Sequence, residues 1–131
     1  QVGLCGADMG AGWLLPRIVG LGHATELLMT GDFVSPQRAY EMGLYNRVVA
    51  NDDLAREGLE WAIKLAQGPS MGLAVTKRML NEEASMTLSE AMQAEGYVQA
   101  ECMKHPDYKE AFNAFSEKRP KNFTAKVSDR L

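Results

Sequence analysis

The sequence predicts a mainly α-helical protein. Apolar residues recur at helical spacing through most of the chain, as in Leu54, Leu59, Trp61, Ala62 and Leu65. Glycine and proline punctuate these runs, at Gly31, Gly43 and Gly68-Pro69. Helix-start chemistry also stands at Ser35-Pro36, at Thr87-Leu88-Ser89-Glu90 and at Pro106.

Taken in order, Gly3 to Gly12 is a Gly-rich entry segment. Trp13, Leu14, Leu15, Ile18 and Val19 predict a short apolar helix containing Pro16, which suits an early or irregular turn because it removes a backbone donor. Leu21 to Thr30 is a second helix, ended by Gly31. Ser35 caps a helix that Pro36 opens and Gly43 stops after Met42. Leu44 to Val49, with its β-branched residues, reads as a brief extended segment.

Asn51 or Asp52 is expected to cap the next helix, which ends at Gly68-Pro69. Ser70 to Ala84 follows, with Leu73, Val75, Met79 and Leu80 as its apolar content. Thr87 and Glu90 form a capping box for a helix from Leu88 to about Lys104. His105-Pro106-Asp107 breaks it, and Pro106 opens the last helix, with Tyr108, Ala111, Phe112 and Phe115 at helical spacing. Lys121 to Leu131 is polar and is expected to fray.

With 131 residues, 46% of them hydrophobic, the chain can bury the core of one ordinary domain. Mixed charge and a net of -3 predict no nucleic-acid partner, and no lysine/arginine cluster invites a membrane surface. No apolar run approaches the length of a bilayer span. Gln1-Val2-Gly3-Leu4 has neither the basic start nor the apolar stretch of a secretory signal. Cys5 and Cys102 lie far apart and match no metal, redox or disulfide spacing, which predicts a reducing, cytoplasmic compartment. Beginning at Gln1 inside an apolar Gly-rich stretch, the sequence reads as a piece of a longer chain.

Gly10-Ala11-Gly12 before a helix is not a dinucleotide fingerprint, because Leu15 stands where the third glycine belongs. It reads as a tight turn with close backbone approach. His23 and His105 are not spaced as metal ligands. His23 lies near a helix start and His105 at a helix C-terminus, where positive charge is favourable, so neither is assigned chemistry and no metal site is expected.

Gly6-Ala7-Asp8-Met9-Gly10-Ala11-Gly12-Trp13-Leu14-Leu15-Pro16-Arg17-Ile18-Val19-Gly20 resembles the segment of the crotonase family in which a Gly-rich turn leads into Leu-Pro-Arg-x-x-Gly. Ala24 to Gly31 and Ala39 to Val49 continue that pattern in order. Gly68-Pro69, Thr76-Lys77 and Phe115-Ser116-Glu117-Lys118-Arg119-Pro120 extend it through nearly the whole chain, up to Phe123. The resemblance is to the enoyl-CoA hydratase/isomerase group.

This resemblance implies the C-terminal helical (trimerisation) region of the crotonase fold plus the end of its ββα spiral core. Residues 1–50 would be the end of the core with acyl-pocket helices, 51–123 a helical assembly domain and 124–131 a polar tail. It also implies a parent enoyl-CoA hydratase or Δ3,Δ2-enoyl-CoA isomerase, assembled as a trimer or hexamer. Such an enzyme acts on acyl-CoA thioesters through a stabilised enolate, with no metal or redox cofactor and with coenzyme A as part of the substrate. The family's oxyanion hole and hydratase glutamates belong to the portion preceding Gln1, so the chain alone is expected to be inactive.

The resemblance further implies two sets of site residues. Asp8 would carry a proton from one carbon of the acyl chain to another two carbons away. A carboxyl whose pKa an apolar pocket raises can serve both steps, and Met9, Trp13 and Leu14 would wall that pocket. Asp8 can equally be read as the cap of the helix beginning near Gly10, and both readings stay open. The turn departs from the family's common Gly-Gly at Gly10-Ala11-Gly12. Phe115 and Lys118, three apart on the last helix, would share a face and contact the adenine and phosphates of coenzyme A. Without the resemblance they read as an apolar stripe and a helix C-terminal cation. A competing expectation is a helical oligomerisation module without chemistry, whose apolar surface drives self-association.

Overall fold

The structure, a computed structural model, describes residues 3–124. Among them are six helices: α1 (Ala11–Thr30), α2 (Pro36–Glu41), α3 (Leu54–Ala66), α4 (Ser70–Glu82), α5 (Leu88–Lys104) and α6 (Pro106–Ser116). No strand occurs among the described residues, and the mainly α expectation holds. The chain divides after Leu54 into two compact units. Of the expected polar tail, all but Thr124 lies outside the described residues.

In the first unit, α1 joins the two expected helices but breaks between them at Gly20, where φ is 80° and ψ 158°. That conformation is open essentially only to glycine. Pro16 lies within the helix, on the N-terminal side of the break. Gly31 ends α1 with φ at 66°, its N–H donating to the Leu27 carbonyl at 3.0 Å. Gly6 runs directly against the backbone of Leu28, so that a Cβ at position 6 would overlap the Leu28 carbonyl oxygen. Val19, Ala24 and Met42 form the small buried core, with Leu15, Leu27 and Leu44 packed against it.

Ser35 caps α2 as expected, its Oγ accepting from the Arg38 N–H at 3.1 Å. The Leu44–Val49 segment forms no strand. Its start is committed to ending α2, because the N–H groups of Leu44 and Tyr45 both donate to the Ala39 carbonyl, at 2.8 and 3.3 Å. The expected cap at Asn51 or Asp52 is corrected as well. Both residues lie inside a 3-10 turn, Asn51–Asp53, whose preceding residue is Ala50 and has no capping side chain.

The second unit is built on α4, α5 and α6, with α5 contacting both of the others. Val75 and Met79 of α4 and Ala114 of α6 are its buried apolar residues. α4 stops two residues short of Ala84 and tightens into a 3-10 turn, Glu83–Ser85. The capping box of α5 is present in both directions. The Thr87 N–H donates to Glu90 Oε2 at 2.8 Å, and the Glu90 N–H donates to Thr87 Oγ1 at 3.4 Å. Among the described residues no helix is long and apolar enough to cross a membrane.

Candidate functional site

Asp8 sits in a turn that the backbone fixes locally. Its N–H donates to the Gly6 carbonyl at 3.1 Å, and its own carbonyl accepts from the Ala11 N–H at 2.8 Å. Met9 and Gly10 follow with φ at 48° and 88°, two consecutive left-handed residues. The N-cap of α1 is Gly10, with no side-chain cap. Asp8 therefore does not cap the helix. Its Oδ1 accepts instead from the N–H of the adjacent Met9, at 2.7 Å.

The carboxylate is exposed to solvent, and so are its neighbours. Met9 is 96% exposed, and Trp13 and Leu14 are half-exposed. Arg17 lies over the Trp13 ring, 3.8 Å from its centroid, and donates to the Trp13 carbonyl at 2.8 Å. One ring face is thus taken by a cation, in a contact of the cation–π type. The closed apolar pocket expected around Asp8 is not formed by Met9, Trp13 and Leu14 within this unit. What the turn does provide is an exposed carboxylate with one oxygen tied to the backbone.

The second set lies at the end of α6. That helix stops at Ser116, and Glu117 is its C-cap. Lys118 is beyond the helix, with φ at 53°. Its N–H donates to the Phe115 carbonyl at 3.2 Å, and the Arg119 N–H donates to the Ala114 carbonyl at 3.0 Å. These paired bonds make a Schellman motif, in which the left-handed position usually belongs to glycine. The shared helix face expected for Phe115 and Lys118 is therefore corrected, because the second of them lies beyond the helix and is itself left-handed. The two remain close in sequence and both are exposed, Phe115 by 82%.

An ion-pair clamp holds this corner. The Arg119 guanidinium donates to Glu110 through two nitrogens, at 2.7 and 2.9 Å, and its Nε donates to Glu117. Glu110 also accepts from the Asn122 N–H at 2.7 Å. The Arg119 hydrogen bonds, and after them the Asn122 N–H, hold the Glu110 carboxyl down at about 2. The same bonds, to Glu110 first and then to Glu117, push the Arg119 pKa up.

Sequence reasoning missed Glu110 and Arg119, which stand nine residues apart and meet only because the chain folds back after α6. It placed His105 correctly at the C-terminus of α5 but missed a second task. His105 Nδ1 accepts from the Asp107 N–H at 3.3 Å, so the residue caps α6 as well as ending α5. Asp107 is buried, its Oδ2 has no hydrogen-bond partner, and His105 Nδ1 is 3.4 Å from that oxygen. The signal lay in His105-Pro106, a capping residue before a first-turn proline. Among the described residues no group of three or more His, Cys, Asp or Glu could hold a metal ion.

The family profile described as enoyl-CoA hydratase/isomerase matches residues 1–126. A 1,2-epoxyphenylacetyl-CoA isomerase of Escherichia coli K12 is 34% identical over 91% of this chain and 45% of its own length. A crotonyl-CoA hydratase of Syntrophomonas wolfei is 34% identical over 86% of this chain and 43% of its own length. The crystal structure of a candidate enoyl-CoA hydratase from Streptomyces coelicolor A3(2) superposes with a TM-score of 0.91. It is 43% identical, over 94% of this chain and 45% of that one. The chain thus spans a little under half the length of these relatives, and its helices match the C-terminal helical part of the crotonase fold. With a profile match across nearly all of its length, the chain belongs to the enoyl-CoA hydratase/isomerase family.

Proposed function

We propose that the protein containing this chain acts on acyl-CoA thioesters as an enoyl-CoA hydratase or enoyl-CoA isomerase. The observation that carries the reading is the family match over residues 1–126. Relatives named as acting on CoA esters include both a hydratase and an isomerase. In this reading, Phe115 offers an exposed ring to the adenine and Lys118 a cation to the phosphates, as stacking and point charge suit that ligand. Coenzyme A enters as part of the substrate, and no metal or redox cofactor is required.

Asp8 is the proton carrier in the isomerase version. Its carboxylate accepts a proton from the carbon next to the double bond and returns it two carbons along. The double bond moves and no atom is gained or lost. Support comes from the backbone hydrogen bond that holds one carboxylate oxygen and from the second oxygen, which has no hydrogen bond among the described residues. Its exposure supports the further expectation that the 131-residue chain is inactive by itself, since Met9, Trp13 and Leu14 do not enclose it. In the complete protein, Asp8→Asn is expected to abolish isomerisation and leave coenzyme A binding intact. Isomerase turnover equal to the unsubstituted protein's would remove Asp8 from the mechanism. Lys118→Ala is expected to weaken coenzyme A binding roughly tenfold, the scale of one charge-assisted hydrogen bond.

A second reading, a helical module for self-association, is favoured by the exposed apolar side chains. Leu21, Met29 and Phe33 stand exposed in the first unit, and Leu80, Leu88 and Tyr97 in the second. It joins the first reading if the complete protein is a trimer or hexamer. A cytoplasmic location belongs to the same reading, since the spacing of Cys5 and Cys102 resembles no disulfide framework.

A further inference from the structure

We infer that Glu110 and Arg119 are positioning residues: their paired hydrogen bonds hold Lys118 in the left-handed conformation and so fix the direction in which its ammonium group leaves the backbone. What Lys118 meets rests on the coenzyme A reading above; the clamp itself does not.

Lys118 has φ at 53°, a region that a residue with a side chain enters only under constraint. If it relaxed to a right-handed conformation, α6 would continue and the lysine would swing onto the helix face three residues beyond Phe115. The corner thus has two alternatives, and they send the ammonium in different directions. The Schellman bonds of Lys118 and Arg119 favour the left-handed one. In most such motifs an apolar contact between the residue after the left-handed position and the last helical turn completes the stop. Here that residue is Arg119, and its opposite, Ala114, is buried and small. The ion pair to Glu110 replaces the apolar contact.

Glu110 is well placed for this. It sits on α6 itself, one turn before Ala114, and binds the chain at two points beyond the corner, the Arg119 guanidinium and the Asn122 N–H. A bidentate carboxylate–guanidinium pair is directional, unlike a simple charge contact. Straightening the chain at Lys118 would break all three bonds together.

The test uses Glu110→Gln and Arg119→Lys in the complete protein, with helix content followed by circular dichroism. Backbone NMR shifts and couplings report the conformation of Lys118. Binding is compared for coenzyme A and for pantetheine, which lacks the nucleotide. Expected results are loss of the left-handed signature at Lys118 in both variants and roughly tenfold weaker coenzyme A binding, with pantetheine affinity unchanged. Adding Lys118→Gly to either variant should restore the left-handed backbone at position 118 without restoring coenzyme A affinity.

Lys118 remaining left-handed in both variants would overturn the clamp. Equal losses for coenzyme A and pantetheine would show a general structural effect and overturn positioning. No preference for coenzyme A over pantetheine in the unsubstituted complete protein would overturn the coenzyme A reading itself, and positioning with it. A preference that survives both substitutions would overturn positioning alone.

Discussion

A lysine in a place usually left to glycine sets the residue-scale character of this chain. Glu110, which helps to hold it there, gives the corner a pH dependence whose sign follows from its lowered pKa. Its carboxyl ionises at about 2 in the folded chain, against an ordinary 4.5. The stabilisation is therefore complete above pH 4.5 and is lost as pH falls towards 2. Acid unfolding followed by circular dichroism should show Glu110→Gln less stable than the unsubstituted chain at pH 6, with the gap closing as pH approaches 2. A gap independent of pH would assign the effect to packing. Gly20 is the other exacting position. Gly20→Ala is expected to cost about 1–3 kcal/mol in chemical denaturation, because φ 80° with ψ 158° excludes a Cβ. The glycines that break or end helices were legible in the sequence, since Gly31 and Gly43 are punctuation that any local reading registers. Lys118 was not, because its conformation comes from a partner eight residues away and from the fold-back that brings Arg119 to it.

Among the elements, those announced by consecutive residues were the ones that could be read in advance. The Thr87–Glu90 capping box spans four positions, and α5 begins where it says. Thr87→Ala should lower stability by about 1 kcal/mol, measured by urea denaturation, and Thr87→Ser should recover most of that loss. Ser35-Pro36 gave the start of α2 for the same reason. Elements whose form depends on what their backbone groups already serve were less legible. Asn51 and Asp52 look like caps, yet the turn begins at Asn51 itself, so both fall inside the 3-10 entry to α3. Leu44 to Val49 has strand-like residues, but the first two amides are spent on the Ala39 carbonyl. The turn at Asp8 was half visible: its glycines signalled a tight turn, while the bond from the Met9 N–H to the carboxylate depends on how the Asp8 side chain folds back on the next peptide group, which no residue pattern announces.

For the whole molecule, the main fact is how little large apolar surface is covered. Among the described residues of the first unit, the buried apolar ones are Val19, Ala24, Ala39 and Met42, while Phe33, Met29 and Leu21 stand in solvent. Exposed patches of this kind drive association. Sedimentation velocity at rising protein concentration should show a sedimentation coefficient that increases; a constant monomer value would remove the self-association reading. The family could be read from the ordered series of motifs along the chain, and the profile match bears it out. The corner at His105 has a different kind of consequence. The same residue closes α5 and caps α6, so no spare position separates the two helices. A single inserted or deleted residue there would change how α6 leaves α5, carrying Phe115 and the Glu110–Arg119 corner with it. Point substitutions can leave the reach of that corner intact, but a change in chain length at His105 would re-aim it.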